Sequence, residues 1–350
     1  MDATRELWRE ILGQPDAVQR VLDDPDLRSG LDALAAEVRA SGELLLSGMG
    51  ASLHAAEAVA SLLRRQGVRA WTLPTSELLH YGASLPVAPL LLISQSGASA
   101  EIVRLLERRP EGVHGLTLDP DGPLAAHGGL VMPGGPERAF AATRSFTSTV
   151  AALAMLAREL GVAVDLDGMP ATLRWALDQE EQVAPLVEAY REPSALFFTG
   201  RGPLHGLANY AALLVMELCR LPAAGIEAAQ LRHGPLEVGG PDIVVTTFAA
   251  EGATRDLIDR LARDVAATGA RSVLLDASRR DASGDASGHA AGDGAIDDDG
   301  RARTALAAPA AAGGRRDRTP GHPLPAGRLP RRAAARHRPR RAAALVEGHA

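Results

Sequence analysis

The stretch LLLISQSGASAE at residues 90–101 decides how the rest of the chain is interpreted. The four apolar residues at 90–93 are too few for a helix and are typical of a strand buried on both faces. Hydroxyls, an amide and a glycine follow, and a helix with one apolar face is predicted from Ala100 to Arg109. Ser99 is placed to cap this helix, because its hydroxyl can accept from a free backbone N–H of the first turn. We therefore predict a strand, a polar turn and a helix N-terminus.

Such a turn suits an anion. Unpaired backbone N–H groups meet the positive end of the helix dipole there, an arrangement that favours a phosphate above other ligands. A serine-rich turn before a well-capped helix explains the same residues without any ligand. The local chemistry leaves both interpretations open.

Composition sets the limits for both interpretations. The 350 residues have room for two domains of ordinary size, and a hydrophobic fraction of 46% is that of a globular protein. The single cysteine, Cys219, excludes an intrachain disulfide and fits a reducing compartment. The sequence shows no secretory signal and no apolar run long enough for a membrane span, so we expect a cytoplasmic protein. The net charge of −6 argues against a nucleic-acid partner.

The basic residues are all of one type. All 37 Lys+Arg residues are arginine, so a mechanism that needs a lysine Schiff base within this chain is excluded.

The order of predicted elements indicates an α/β fold. Residues 1–40 are predicted to form two surface helices that are interrupted at Gln14-Pro15. The apolar segment 44–46 is the first buried strand, and strands then alternate with helices to about residue 165. This order predicts a parallel sheet covered on both faces, with ligands at the carboxyl ends of its strands.

The pattern then restarts. Residues 166–192 contain a predicted connecting helix, and residues 196–202 repeat the pattern of residues 44–50. We interpret this as a tandem duplication, with a first domain at 41–165 and a second, truncated domain at 193–278. The second copy lacks a Ser-Gln-Ser turn, so one anion site per chain is expected, in the first copy.

The motifs resemble those of a known family. Ser-Gln-Ser-Gly-x-Ser after a buried strand, the turn Gly48–His54 and the string LRHGPL at 231–236 resemble the sugar isomerase (SIS) family. The resemblance is greatest to the isomerase half of glucosamine-6-phosphate synthase and to stand-alone aminosugar-phosphate isomerases and deaminases. It implies two tandem three-layer α/β/α SIS domains with parallel sheets.

The resemblance also implies a sugar-phosphate site that needs no metal and no cofactor. The residues expected to bind the substrate phosphate are Gly50, Ser52, Ser94, Gln95, Ser96 and Ser99. Ala51 replaces the family's usual threonine, which removes one hydroxyl contact. His54 is interpreted as mainly structural.

Glu217 and His233 are the candidate catalytic residues. Glu217 lies in a strongly apolar predicted helix, where burial raises the pKa of a carboxyl toward the range of a proton-shuttling base. Histidine titrates near neutrality and suits sugar ring opening. The residues alone also permit an ion pair of Glu217 with Arg220 or Arg232, and a turn-capping role for His233. The resemblance implies the catalytic roles, in a homodimer whose His233 enters the neighbouring subunit's site.

We expect an aldose–ketose isomerase or deaminase of aminosugar 6-phosphates without glutaminase activity. Two lysines of the family have no counterpart, and Leu214 occupies the position of one of them. The alternatives are a non-catalytic sugar-phosphate-binding SIS protein and an inactive frameshifted product. The frameshift alternative follows from residues 279–350, where Asp/Gly-rich and then Arg/Ala/Pro-rich sequence predicts a disordered or frameshifted tail.

Overall fold

The computed structural model describes residues 3–82, 89–108, 112–184, 186–278 and 302–305. Two five-stranded sheets, parallel throughout, form the framework of an α/β fold. The predicted fold class is thereby confirmed. The proposed domain boundaries stay predictions.

Three helices precede the first strand: α1 (Ala3–Leu12), α2 (Gln14–Asp23) and α3 (Pro25–Ser41). The prediction of two surface helices was wrong for this segment. Pro15 lies in the first turn of α2, where a missing N–H costs nothing, so it begins a helix rather than only ending one. Val18 of α2 and Leu34 of α3 are fully buried, so these helices belong to the core.

The first sheet has the strand order β2-β1-β3-β4-β5. Its elements, in chain order, are β1 (Glu43–Gly48), α4 (Ala51–Arg65), β2 (Arg69–Pro74), α5 (Thr75–Tyr81), β3 (Leu90–Ile93), α6 (Ala100–Arg108), β4 (Val113–Thr117), α7 (Pro123–Ala126), β5 (Leu130–Val131) and α8 (Arg144–Glu159). All four residues of the central strand β3 are buried, as the apolar run predicted. Side chains from α3, α4 and α8 cover one face of the sheet, and those from α5 and α6 cover the other.

A segment of three short helices leads to the second sheet: α9 (Met169–Leu177), α10 (Glu180–Val183) and α11 (Leu186–Ala189). A single connecting helix was predicted here. The chain leaves helical hydrogen bonding after Leu177 and resumes it at Glu180, so the apolar spacing is not carried by one continuous helix.

The second sheet has the order β10-β9-β8-β6-β7. Its elements are β6 (Ala195–Gly200), α12 (Pro203–Cys219), β7 (Ala223–Glu227), α13 (Ala228–Leu231), a 3-10 turn (Pro235–Val238), β8 (Ile243–Ala249), α14 (Arg255–Ala267), β9 (Arg271–Asp276) and β10 (Ala302–Ala305). Gly50 and Gly202 precede α4 and α12 with nearly the same backbone angles, φ 51° and ψ −128° against φ 57° and ψ −124°. The predicted repeat of the strand–turn–helix unit is therefore present.

One part of the predicted irregular tail is ordered as a strand. Residues 302–305 form β10 and pair in parallel with β9, Ala302 opposite Val273. This corrects the prediction of an irregular tail for these four residues, because backbone pairing with an existing edge requires little of the side chains. Residues 279–301 and 306–350, where the disordered or frameshifted tail was predicted, lie outside the described residues.

Helices α4 and α12 pack closely against each other. A Cβ atom on Gly206 of α12 would lie 2.6 Å from the backbone of His54 and Ala58 on α4, so only glycine permits this approach. The Glu57 carboxylate accepts a hydrogen bond from Asn209 Nδ2 (2.8 Å) across the same contact and lies 3.1 Å from His54 Nδ1. This packing places the second half's α12 beside the carboxyl edge of the first sheet.

The described helices include none that is both long and apolar enough to cross a membrane.

Candidate functional site

A cavity of about 430 Å³ opens where the carboxyl ends of β1 and β3 meet α8 and α12. The turns after β1 and β3 contribute Met49, Gly50, Ala51, Ser52, Ser94, Gln95 and Ser96. The segment before α8 and α8 itself contribute Pro136, Glu137, Phe140, Ala142, Ser145, Phe146 and Thr149. Helix α12 contributes Tyr210, Leu213, Leu214 and Glu217. The cavity is therefore built from both halves of the chain.

The polar turn after β3 is held by its own hydroxyls. Ser94 Oγ accepts from the Gly97 N–H (3.1 Å), and Ser96 Oγ accepts from the Ala98 N–H (3.3 Å). Each hydroxyl that accepts in this way still has its own proton to donate. Gln95 donates through Nε2 to the Glu137 carbonyl (3.1 Å), which ties the turn to the wall before α8.

Ser99 has a different role from its neighbours. Its hydroxyl accepts from the Ile102 N–H at 3.4 Å, which caps α6 as predicted. It is not among the residues that line the cavity, unlike Ser94, Gln95 and Ser96.

The turn after β1 lies directly against the turn after β3. A Cβ on Gly48 would come within 3.0 Å of the Ile93 carbonyl oxygen and of Ser52 Cβ. The positive φ of Gly50 turns the chain into α4, and Ser52 reaches the cavity from the first turn of that helix. Gly50 and Ser52, both predicted from the sequence, therefore lie at the same site as Ser94, Gln95 and Ser96. We call the turn after β1 and the turn after β3 the serine turns.

Glu217 lies half-buried on the α12 wall of the cavity, three residues after Leu214. Burial raises the pKa of its carboxyl. Among the described residues Glu217 has no ion-pair partner, and Arg232 instead pairs with Asp264. The structural ion pair that the sequence left open is therefore not formed with Arg232.

His233 is exposed and lies outside the cavity. The backbone N–H of His233 donates to the Gln230 carbonyl (2.9 Å) at the end of α13, and the residue lies on the surface of the second half. The structure therefore does not bring the two predicted catalytic residues together within one chain.

Glu137 is a site residue that the sequence analysis missed. Its buried carboxylate accepts from the backbone N–H groups of Thr143, Arg144 and Ser145 and from the hydroxyls of Thr143 and Ser145. These donors belong to the beginning of α8, where a helix dipole favours a negative group. The sequence gives no signal for this contact, because it arises only when the loop at 134–143 folds back on the helix.

Tyr210 and Phe146 form an aromatic wall that was also missed. Their rings stack with centroids 3.5 Å apart, and the Tyr210 hydroxyl donates to the Ala142 carbonyl (2.6 Å). Burial, together with the charges of Glu137 and Glu217, raises the pKa of Tyr210 well above its usual range. Tyr210 is therefore a neutral hydrogen-bond donor and not a base.

Of the residues that the structure describes, those lining the cavity include two carboxylates, Glu137 and Glu217, and no arginine or histidine. An anion in this cavity depends on hydroxyls, an amide and backbone N–H groups. Among the described residues there is also no group of three His, Cys, Asp or Glu side chains arranged to hold a metal ion.

The family comparison agrees with this geometry. Residues 37–158 match the SIS domain family. We refer to this matching part of the chain as the SIS segment. It contains the two turns with Gly50, Ser52 and Ser94–Ser96, whereas Glu217 and His233 lie outside it. The second SIS domain predicted for 193–278 stays a prediction.

The SIS segment has curated and structural relatives. The chain is 26% identical over 276 residues to glutamine–fructose-6-phosphate aminotransferase [isomerizing] of Sulfolobus acidocaldarius. That match covers 76% of this chain and 45% of the relative, so the chain spans less than half of the relative's length.

Two solved structures are similar in fold. The C-terminal domain of glucosamine-fructose-6-phosphate aminotransferase from Francisella tularensis has a TM-score of 0.70 at 18% identity and covers 86% of this chain and 88% of that chain. A protein of Silicibacter pomeroyi DSS-3 described as a phosphosugar isomerase has a TM-score of 0.64 at 28% identity, covering 77% and 85%. The first of these likenesses concerns the fold alone.

Proposed function

We propose that the chain is a sugar-phosphate isomerase or deaminase, with aminosugar 6-phosphates as its substrate class. One observation carries the proposal: a single cavity is lined by the serine turns of the SIS segment and by Glu217, whose pKa is raised by burial. Anchoring groups and a proton-transfer group are therefore present in one site. The similar proteins are named as a phosphosugar isomerase and an isomerizing aminotransferase, and these names support a sugar-phosphate substrate.

The phosphate is proposed to bind at the two turns. Ser94 and Ser96 line the cavity with hydroxyls that can still donate, Gln95 supplies an amide, and Ser52 and Gly50 line it from the turn after β1. Hydrogen bonds to a charged phosphate oxygen are about twice as strong as neutral ones. Ser99 contributes through its cap on α6, which holds the turn in place.

The reaction is proposed to be a proton transfer between neighbouring carbons. Glu217 removes the proton from C2 of the open-chain aldose and returns it to C1, while the carbonyl moves from C1 to C2. For a 2-amino sugar, the same transfer leaves an imine at C2, which water hydrolyses to a ketose and ammonia. A carboxyl with a raised pKa suits both steps of the transfer. It takes up the C2 proton more readily than an ordinary carboxylate does, and it can still release that proton to C1.

Ring opening is assigned to His233 of a second copy of the chain. His233 is exposed and outside its own chain's cavity, so it can act only at another chain's site. This proposal makes the active form a homodimer in which each site draws on both chains.

A binding protein without turnover is the second candidate. The observation that favours it is that Glu217 alone of the predicted catalytic pair lines the cavity. A sensor would need the serine turns but neither Glu217 nor His233.

A substrate panel separates the two candidates. The purified chain would be assayed with hexose 6-phosphates and their 2-amino forms for aldose–ketose conversion and ammonia release, beside Glu217→Gln. We expect turnover by the wild type and a fall in kcat of roughly 10²–10⁴-fold in the variant, the ordinary contribution of a general base. Full turnover by Glu217→Gln would contradict the catalytic assignment. Binding without turnover by the wild type would favour the sensor.

A further inference from the structure

The loop at 134–143 forms one wall of the cavity and is held from behind by a buried arginine. Pro136, Glu137, Phe140 and Ala142 of this loop face the cavity. Arg144, only 7% exposed, donates through Nη1 to the Gly134 carbonyl (3.3 Å) and through Nη2 to the Pro136 carbonyl (3.2 Å). The loop's shape therefore depends on where this guanidinium lies.

Glu10 of α1 fixes the position of the guanidinium. One oxygen of its carboxylate accepts from Arg144 Nε, and the other accepts from the Arg138 backbone N–H (3.1 Å). Glu10 is only 8% exposed, although it lies on a helix whose Trp8 and Leu12 are about half exposed. A single buried carboxylate thus holds the loop at two points, from a helix that precedes the SIS segment.

The same loop is connected to the phosphate turn. The carbonyl of Glu137 accepts from Gln95 Nε2, and the carboxylate of Glu137 is held by the first residues of α8. Hydrogen bonds therefore connect Glu10 through Arg144 to the Pro136 carbonyl, and the adjoining backbone of Glu137 continues the connection to Gln95. Gln95 is one of the groups that the proposed function assigns to phosphate binding.

We infer that Glu10 is a positioning residue for the sugar-phosphate site, acting through Arg144 and the backbone of the loop at 134–143. The inference rests on the proposed function for the identity of the ligand. The linkage itself rests only on the hydrogen bonds described above.

Neutralising Glu10 has two effects on the affinity for an anionic ligand, and they have opposite signs. Removing a negative charge near an anion site strengthens anion binding by Coulomb attraction alone. Releasing the loop weakens binding, because Gln95 and the cavity wall lose their fixed geometry. The sign of the change in affinity therefore identifies the role.

The test compares Glu10→Gln with Glu6→Gln. Glu6 lies one turn earlier on the same helix and pairs with Arg9 of that helix, so its variant is the matched control. With fructose 6-phosphate and glucosamine 6-phosphate as probes, we expect Glu10→Gln to raise KM, or Kd by calorimetry, roughly fivefold or more, the lower range for coupled sites. We expect kcat to change less than about twofold, because Glu217 lies on another helix. Glu6→Gln should match the wild type.

An unchanged or lowered KM in Glu10→Gln, or an equal rise in Glu6→Gln, would overturn the inference. Hydrogen exchange tests the linkage independently of any ligand. Amides at 134–145 should exchange faster in unliganded Glu10→Gln than in the wild type or in Glu6→Gln, even if neither probe binds. If Glu10→Gln does not fold, the wild type is tested alone. Fructose 6-phosphate should then slow amide exchange at both 3–12 and 134–145. If binding protects neither segment, the linkage is rejected.

Discussion

At the residue scale, the proposed phosphate anchor and the proposed base lie on different elements of the fold. Ser94, Ser96 and Gln95 lie on a turn that is fixed by hydrogen bonds to its own backbone and to Glu137. Glu217 lies on another helix among leucines, where burial raises the pKa of its carboxyl. Substitutions at the two places should therefore affect different kinetic constants.

Ser96→Ala is expected to act through KM. The substitution removes a hydroxyl that is exposed to the cavity and that lies far, in the proposed pose, from the reacting carbons. We expect KM for the best substrate of the panel to rise roughly tenfold, the value of one hydrogen bond to a charged group, with kcat nearly unchanged. Ser61→Ala on α4 is the control, because the Ser61 hydroxyl donates to the Ala58 carbonyl of its own helix and is not among the residues that line the cavity. A fall in kcat at constant KM would contradict the anchor role.

The pH dependence of Glu217 has a definite sign. A base acts only when ionised, and burial moves the pKa of Glu217 upward, so kcat should fall on the acid side at a pH above that expected of an exposed glutamate. A carboxyl whose pKa is raised by folding stabilises the folded state most at low pH, and this contribution is lost as the pH rises through the folded pKa. Glu217→Gln should therefore gain Tm relative to the wild type at pH 8 and show little difference at pH 4. Loss of Tm at pH 8 would contradict the raised pKa.

At the scale of elements, the contact between α4 and α12 decides where Glu217 lies. Gly206 lets the two helices approach so closely that a Cβ atom would meet the backbone of α4 at 2.6 Å. Helix α12 then runs from this contact to Glu217, which lines the cavity.

Gly206→Ala is expected to push α12 outward. The new methyl meets backbone atoms that cannot rotate away, so the free energy of unfolding should fall by about 1–3 kcal/mol, the ordinary cost of overpacking. Because Glu217, the proposed base, moves with the helix, kcat should fall in the folded variant as well. Gly240→Ala, where the nearest atom to a new Cβ is Asp242 Oδ1 at 3.4 Å, is the control. Denaturant titration and steady-state kinetics on both variants measure the two effects, and wild-type kcat in Gly206→Ala would refute the second.

Sequence patterns predicted some elements well and missed others for physical reasons. The run at 90–93 is apolar on both faces because β3 is central in its sheet, so its burial could be predicted without a structure. Strand β7 was missed because Ala-Ala-Gly-Ile-Glu has no strong strand preference. It forms at a sheet edge, and Gly225 there lets α12 come within van der Waals distance. Glu137, Tyr210 and Glu10 were missed because their roles depend on tertiary contacts that no local spacing encodes.

At the scale of the whole molecule, the proposed site is incomplete in one chain. His233 lies outside the cavity that Glu217 lines, so the proposed chemistry needs two copies related by symmetry. Mixing two inactive variants tests this arrangement directly.

Glu217→Gln and His233→Ala chains should complement each other. A heterodimer has one site with both residues intact and one site with neither, so a refolded equimolar mixture of a two-fold symmetric dimer should recover about a quarter of wild-type activity. Each variant alone should be nearly inactive, and light scattering should report a dimer for all samples. No recovery on mixing, with dimers present, would place ring opening on a residue other than His233.

The closeness of Gly206 to α4 also bears on how this chain can be altered by evolution or design. The proposed anchor lies in the first half of the chain and the proposed base in the second, and the close contact at Gly206 sets their relative position. A fragment containing residues 37–158 alone would contain the serine turns but neither Glu217 nor Glu10, whose carboxylate holds the loop at 134–143. To accommodate a longer ligand, the contact between α4 and α12 would have to change, because that contact sets how far Glu217 lies from the serine turns.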